Sequence, residues 1–387
     1  MQAVILAAGK GTRMSPLGAK PLLKIAGKTI LEHNLSALEG IEEVIIVVGH
    51  RGKEVMDFLE KIKKQFNFTI STVEQKDSLG TYHALLQARP LLKDTFLVMN
   101  GDDLYHRQDM VPCLKDDLSI LAREVSDPSR FGILESEKGF LKKIVEKPAS
   151  PESNLANTGL FVLDEEIFLL DVKKSPRGEW ELTDAVNMLA QKRNVVIQKS
   201  SGWLPIGYPW DLLEANEAVL KNQKGGGGGE VEKNVVLKNS VFAGKNTLIR
   251  SGAYIEGPVF IGEDCVIGPN CYIRSFTSIG NDCKIGNGVE VKNCVIGDHV
   301  SIGHLSYFGD SILGNNINIG AGTIAANLRH DQQTIKVKVN GKLVDTRRRK
   351  FGCIIGDRVH TGIHTTLYPG RKLSFNTLPG EIVREDK

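Results

Sequence analysis

Ten apolar positions in the second half of the chain recur every six residues without a break: Leu237, Ala243, Ile249, Ile255, Ile261, Ile267, Ile273, Ile279, Ile285 and Val291. A six-residue period suits one short strand and one tight corner, repeated around a triangular coil. The apolar residue points inward and stacks on the coil below, so each coil buries its face only against its neighbours. This predicts a parallel β-helix solenoid. Gly262, Gly268, Gly280 and Gly286 directly follow the apolar residue, at corners where a Cβ would crowd. The phase then slips by one to Ile296, Ile302 and Phe308, followed by Gly297, Gly303 and Gly309. Ile319-Gly320 continues the pattern, and Ile355, Thr361, Leu367 and Leu373 resume it. Solenoid corners also account for most of the glycine excess, 40 of 387 residues against a usual ~7%.

Two segments depart from the repeat. Gly225 to Gly229 is a run of five glycines, expected to be a flexible linker over residues 223–230. Residues 329–352 alternate through Ile335-Lys336-Val337-Lys338-Val339, turn at Asn340-Gly341 and return through Lys342-Leu343-Val344, a strong β-hairpin signal. The hairpin ends in the basic run Arg347 to Lys350.

The first 222 residues read differently. Apolar runs at Ala3–Leu6, Val44–Val48 and Phe96–Met99 predict buried strands, and Glu54–Phe66, Thr81–Leu92 and 209–221 predict helices. Such alternation means a mostly parallel sheet covered by helices, with ligands beyond the carboxyl ends of the strands. The chain is therefore expected to be α/β plus all-β, with domains over 1–222 and 231–387. A net charge of +3 is too small to imply nucleic-acid binding. No apolar run approaches the roughly 18 residues of a membrane span, and the N-terminus lacks signal-peptide character. Six cysteines without a CxxC pair fit buried free thiols in a reducing cytoplasm.

The loop after the first strand reads Leu6-Ala7-Ala8-Gly9-Lys10-Gly11-Thr12-Arg13, with Lys20-Pro21-Leu22 beyond it. Without Cβ atoms at Gly9 and Gly11, backbone N–H groups can approach a polyphosphate, and Arg13 and Lys20 add cations. The spacing is neither a P-loop nor a Rossmann fingerprint. Gln75 with Leu79-Gly80-Thr81, Gly101-Asp102, Glu146-Lys147-Pro148, Asn157-Thr158-Gly159 and Gly207 to Asp211 follow in order. As a set this resembles the sugar-1-phosphate nucleotidylyltransferases over residues 1–220. The resemblance implies a Rossmann-like domain in which Arg13 and Lys20 are catalytic and grip the triphosphate. Leu6, Ala8, Gly9, Gly11, Thr12, Gln75, Gly80 and Thr81 would bind the nucleotide, with a pyrimidine (UTP or dTTP) favoured. Gly132, Glu146, Lys147 and Asn157 would bind the sugar 1-phosphate, and Asp102 and Asp211 would hold Mg²⁺. Pro205 stands where thymidylyltransferase relatives often carry an acid, which disfavours a strict thymidylyltransferase.

Gly303-His304-Leu305-Ser306-Tyr307-Phe308-Gly309-Asp310 interrupts the solenoid with polar and aromatic residues. With Asn318 to Ile324, Asn327, Arg274, Lys292 and Lys350, it resembles the acetyltransferase domain of the bifunctional uridyltransferase/glucosamine-1-phosphate acetyltransferases, in the archaeal form with a hairpin insertion. That resemblance implies His304 as general base, Arg274, Lys292, Tyr307, Asn318, Asn327 and Lys350 as amino-sugar phosphate ligands, and acetyl-CoA near the backbone of Ala321. It also implies a homotrimer, and a left-handed coil against the ~98% right-handed crossover preference. Ile363 stands where the bacterial enzymes place a small hydroxyl residue near CoA. Two other readings remain open: a single-activity nucleotidylyltransferase with a structural, trimerising solenoid, and a non-catalytic assembly subunit.

Overall fold

The computed structural model describes all residues, 1–387, in two compact units. The first comprises Met1–Lys10 and Ile30–Pro205; the second comprises Gly11–Thr29 and Ile206–Lys387.

In the first unit, strands Thr69–Glu74, Glu43–Val48, Gln2–Ala7 and Thr95–Asn100 lie parallel, in that spatial order. The two central strands bury nearly every side chain, as the unbroken apolar runs require. Leu155–Asp164 then runs antiparallel between Thr95–Asn100 and Ser119–Glu124. The sheet ends in the hairpin Gly132–Glu137 with Phe140–Glu146. Helices Gly52–Ile62 and Thr81–Ala88 match the helical patterns, though each stops earlier than its apolar periodicity and passes into a turn of 3₁₀ helix. In the Thr81 helix the cause is Pro90, which cannot donate an interior helix bond.

The second unit is dominated by a three-sided parallel β-helix, whose sides contain eight, six and eight strands. Ile249, Ile255, Ile261, Ile267, Ile273, Ile279, Ile285 and Val291 are completely buried. Leu237 is the exception at 43% exposed, because it lies in the first coil and has no earlier coil to cover it. Successive coils are tied by hydrogen bonds 18 residues apart at first and 17 apart later, which is the phase slip of the sequence. Gly244, Gly262, Gly280 and Gly297 stack at one corner, where a Cβ on each would lie 2.5–2.6 Å from the next coil's carbonyl oxygen. Asn246, Asp264, Asp282, His299 and Asn316 form a second ladder with positive φ, which Asn and Asp tolerate best.

The pentaglycine run is not a free linker. Gly226 and Gly227 pair in parallel with Phe242 and Ala243 as the first strand of the solenoid. A Cβ on Gly227 would sit 2.0 Å from the Ala243 carbonyl oxygen, so close approach rather than flexibility demands glycine there. The insertion is the expected hairpin: Lys336–Val339 pairs antiparallel with Lys342–Asp345. Asn340 and Gly341 both adopt positive φ, as a type I′ turn requires. All six cysteines are free and buried. No helix is long and apolar enough to cross a membrane.

The rest of the second unit packs against this solenoid. Helix Asp211–Lys221 donates from Asn216 Nδ2 to the Phe276 carbonyl at 2.8 Å. In the segment 11–29, the Lys24 ammonium meets the Asp298 carboxylate at 2.8 Å.

Candidate active sites

The carboxyl ends of Gln2–Ala7 and Thr95–Asn100 are held together by the Gly101 N–H donating to the Leu6 carbonyl at 2.9 Å. Leu6 and Ala8 are buried beside this junction, and Asp102 follows immediately. Its neighbour Asp103 is engaged otherwise: Oδ2 accepts from Trp203 Nε1 at 3.2 Å, and the backbone carbonyl accepts from Asn34. Asp102 and Asp103 are both half-buried at this strand end.

Gln75 is buried, and its Nε2 donates to the Gly80 carbonyl and contacts His83 Nδ1, both at 3.0 Å. The amide thus braces the turn that opens helix Thr81–Ala88. The Thr81 hydroxyl accepts from Leu182 N at 2.8 Å, which ties it to the following layer. Trp180, absent from the expected set, backs this turn: its carbonyl accepts from Tyr82 N and its N–H donates to Leu79 O.

Three expected sugar-side residues converge. Gly132 pairs with Glu146, and a Cβ on Gly132 would meet Glu146 Oε2 at 3.0 Å and Asn157 Cβ at 3.8 Å. Lys147 lies 3.5 Å from the Glu146 carboxylate. The Glu181 and Asp184 carboxyls are held above their usual range, first by burial; among the charges, Arg177 opposes the shift and Glu146 adds to it. Both acids thus feel the Glu146 charge, and nothing in their sequence spacing marks them.

In the second unit, Gly11 adopts φ 59° and opens a short 3₁₀ turn Thr12–Met14. Gly9, which belongs to the first unit, has open space where a Cβ would be. Lys20 is buried, and its Cβ lies 3.5 Å from the position a Gly11 Cβ would take. The Arg13 guanidinium lies 5.3 Å above the Tyr208 ring centroid. Asp211 Oδ2 accepts from both Gly207 N and Tyr208 N at 2.8 Å, so this first-turn acid pins the loop that leads into its own helix. Tyr208 was also missed, because an aromatic beneath a cation has no sequence spacing to betray it.

The solenoid's third side carries the other expected cluster. Arg274, Lys292 and Gly309 occupy successive rungs of one outward row, and Tyr272, Glu290 and Tyr307 occupy the row beside it. Arg274 pairs with Glu290 at 2.9 Å. A Cβ on Gly309 would lie 2.5 Å from both Asn327 Nδ2 and the Tyr307 hydroxyl, so these two groups meet over the glycine. Burial, then Glu290 and Asp310, push the Tyr307 hydroxyl above its usual range. Lys350 bridges Leu328, and Phe351 N donates to the Asn327 carbonyl at 2.9 Å. His304 is exposed at the end of strand Ser301–His304 on the second side, three residues before Tyr307. Asn318 and Ala321 lie one coil further on: Asn318 pairs with Ser301, and Gly322 N donates to the His304 carbonyl. The cluster around Gly309 is compact, whereas Asn318 and Ala321 flank it.

Residues 2–222 match the family model described as Nucleotidyl transferase, and residues 255–385 match a model described as GMPPB C-terminal domain. A bifunctional sugar-1-phosphate nucleotidylyltransferase/acetyltransferase of Sulfurisphaera tokodaii is 40% identical over 100% of this chain and 98% of its own length. The bifunctional protein GlmU of Methanococcus maripaludis is 42% identical over 98% of this chain and 93% of its own length. Among solved structures, a UDP-glucose pyrophosphorylase complexed with UDP-glucose superposes with TM-score 0.52 at 26% identity, covering 57% of this chain and 99% of that one.

Proposed function

Because the chain belongs to the family of bifunctional sugar-1-phosphate nucleotidylyltransferase/acetyltransferases, we propose that it joins a pyrimidine nucleotide to a sugar 1-phosphate and acetylates an amino-sugar 1-phosphate. The solenoid is the left-handed β-helix of hexapeptide repeats. Residues 1–222 are assigned to nucleotidyl transfer and residues from 231 onward to acetyl transfer, in a cytoplasmic homotrimer.

In the first reaction the sugar phosphate oxygen attacks the α-phosphorus of UTP or dTTP, and pyrophosphate leaves in line. Two anions must meet, so cations carry the catalysis. Arg13 and Lys20 hold the triphosphate over Gly9 and Gly11, while Lys147 faces the sugar phosphate and Glu146 and Asn157 the ring. Gln75, the Gly80 backbone and Thr81 face the base. Mg²⁺ takes one or two carboxylates and completes its shell with phosphate oxygens and water, a donor set that Asp102 and Asp211 fit. Bound there, it would neutralise charge on the phosphates. The supporting observation is the Gly101–Leu6 hydrogen bond, which sets Asp102 beside the start of the glycine loop.

In the second reaction His304 takes a proton from the sugar amine. The amine nitrogen bonds to the acetyl carbonyl carbon, the carbon–sulfur bond breaks, and the proton passes to the departing CoA sulfur. Arg274, Lys292 and Lys350 face the phosphate, Tyr307, Asn318 and Asn327 orient the sugar, and the Ala321 backbone lies toward the thioester. The meeting of Tyr307 with Asn327 over Gly309 supports this reading, since a purely structural wall needs no such polar cluster.

A matrix of triphosphates against sugar 1-phosphates, followed by pyrophosphate release, tests the first reaction and names its substrates. Acetyl-CoA with glucosamine or galactosamine 1-phosphate, followed by free thiol, tests the second. No thiol release above a His304→Ala control contradicts it.

A further inference from the structure

We infer that Asp310 is a positioning residue of the acetyl-transfer site, fixing Asn327 as a hydrogen-bond acceptor for a donor group of the amino-sugar phosphate. The inference rests on the acetyl-transfer reading and extends it to a residue outside the expected set.

Asp310 is only 4% exposed and adopts φ 50°, at the corner after strand Tyr307–Gly309. A buried carboxylate needs compensation, and three groups supply it. Its Oδ1 accepts from Asn293 Nδ2 at 2.8 Å, and its Oδ2 accepts from Asn327 Nδ2 at 2.6 Å. The Lys292 ammonium lies 3.8 Å from the same Oδ2. Backbone bonds from Asp310 N to Lys292 O and from Gly352 N to Asp310 O pin the corner.

An ionised carboxylate can only accept hydrogen bonds. Both asparagines must therefore turn their NH₂ groups toward Asp310 and their carbonyl oxygens away. Asn293 is buried, and its Oδ1 has no partner, which marks it as the structural arm. Asn327 is half-buried and meets Tyr307 over Gly309, so its orientation matters to a ligand. With one Nδ2 hydrogen given to Asp310, the Asn327 Oδ1 is turned away from the carboxylate and can accept only from a donor, which an amine or sugar hydroxyl is and a phosphate is not. The same carboxylate holds the Lys292 ammonium in the row that faces the phosphate. One buried acid thereby sorts the site into an acceptor for the amine side and cations for the phosphate side.

The test uses the full-length chain with acetyl-CoA and glucosamine 1-phosphate. Asp310→Asn keeps the shape and loses the charge that dictates the amide orientation. The bond weakened is one to a charged group, so KM for the sugar phosphate should rise at least about 10-fold. KM for acetyl-CoA and nucleotidyl transfer should stay within about two-fold, which a general loss of folding would not allow. Asn293→Ala, which cuts only the structural arm, should lower Tm without moving KM for the sugar phosphate. Asp310→Ser serves as a second variant if Asp310→Asn does not fold. Unchanged KM for the sugar phosphate in the folded variant, or an equal rise for acetyl-CoA, overturns the assignment alone. Absence of thiol release by the unaltered chain overturns the acetyl-transfer reading, and this assignment with it.

Discussion

Phe351, which follows the hairpin insertion, meets Trp210 edge-on, with ring centroids 6.1 Å apart and planes at 76°. Trp210 stacks on Tyr208 at 4.6 Å, and Tyr208 lies beneath the Arg13 guanidinium. A fully buried aromatic next to Lys350 thus props the ring that carries Arg13. Tyr208→Leu removes a cation–π contact of about 0.5–1 kcal/mol, so KM for the triphosphate should rise about two- to five-fold. Phe351→Leu should cause a smaller rise in the same constant. Steady-state pyrophosphate release measures both.

The two adjacent acids at the strand end should part company. Asp102→Asn should lower nucleotidyl transfer by two orders of magnitude or more, on the scale of lost transition-state electrostatics. Asp103→Asn should act mainly through the Trp203 indole bond, lowering Tm with kcat within about three-fold. Equal kinetic losses in both variants would contradict the metal assignment.

The glycine run tests strand against linker. Gly227→Ala forces a Cβ against the Ala243 carbonyl, whereas Gly228→Ala meets nothing closer than 3.5 Å. Thermal unfolding should show a lower Tm for the first variant and almost none of that loss for the second. A flexible linker would tolerate both.

Buried thiols give a pH dependence of known sign. Burial pushes Cys113, Cys271, Cys294 and Cys353 up to about 12, against about 8.5 in an unfolded chain. Between those values the unfolded state releases these protons and the folded state does not. Stability is therefore fully present below about pH 8.5 and is lost as pH rises, by at most about 1.4 kcal/mol per thiol per unit. Tm should fall above pH 8.5, and a thiol reagent at pH 8 should titrate none of the six cysteines until the chain unfolds.

The solenoid was legible because a stacked coil imposes one period on every turn, and Ile249 to Val291 could not be buried otherwise. The hairpin was legible because Asn340-Gly341 suits a turn with positive φ at both residues. Gly225 to Gly229 misled because composition cannot distinguish a chain free to move from one pressed against its neighbour. Tyr208 and Asp310 escaped for a related reason. Each acts through a partner brought near by the fold, Arg13 in one case and Asn327 in the other, and no sequence interval records that distance. Asp310 did lie within the break in the repeat at Gly303 to Asp310, so the break located the region without assigning the residue.

The central claim is that one chain carries two separable reactions. Asp102→Asn and His304→Ala, each assayed for pyrophosphate release from UTP with a sugar 1-phosphate and for thiol release from acetyl-CoA with glucosamine 1-phosphate, test it most directly. Each substitution should abolish one reaction and leave the other within about two-fold, as for sites that share no catalytic group. Thiol release that persists undiminished in His304→Ala, or that is absent from the unaltered chain, would contradict the account.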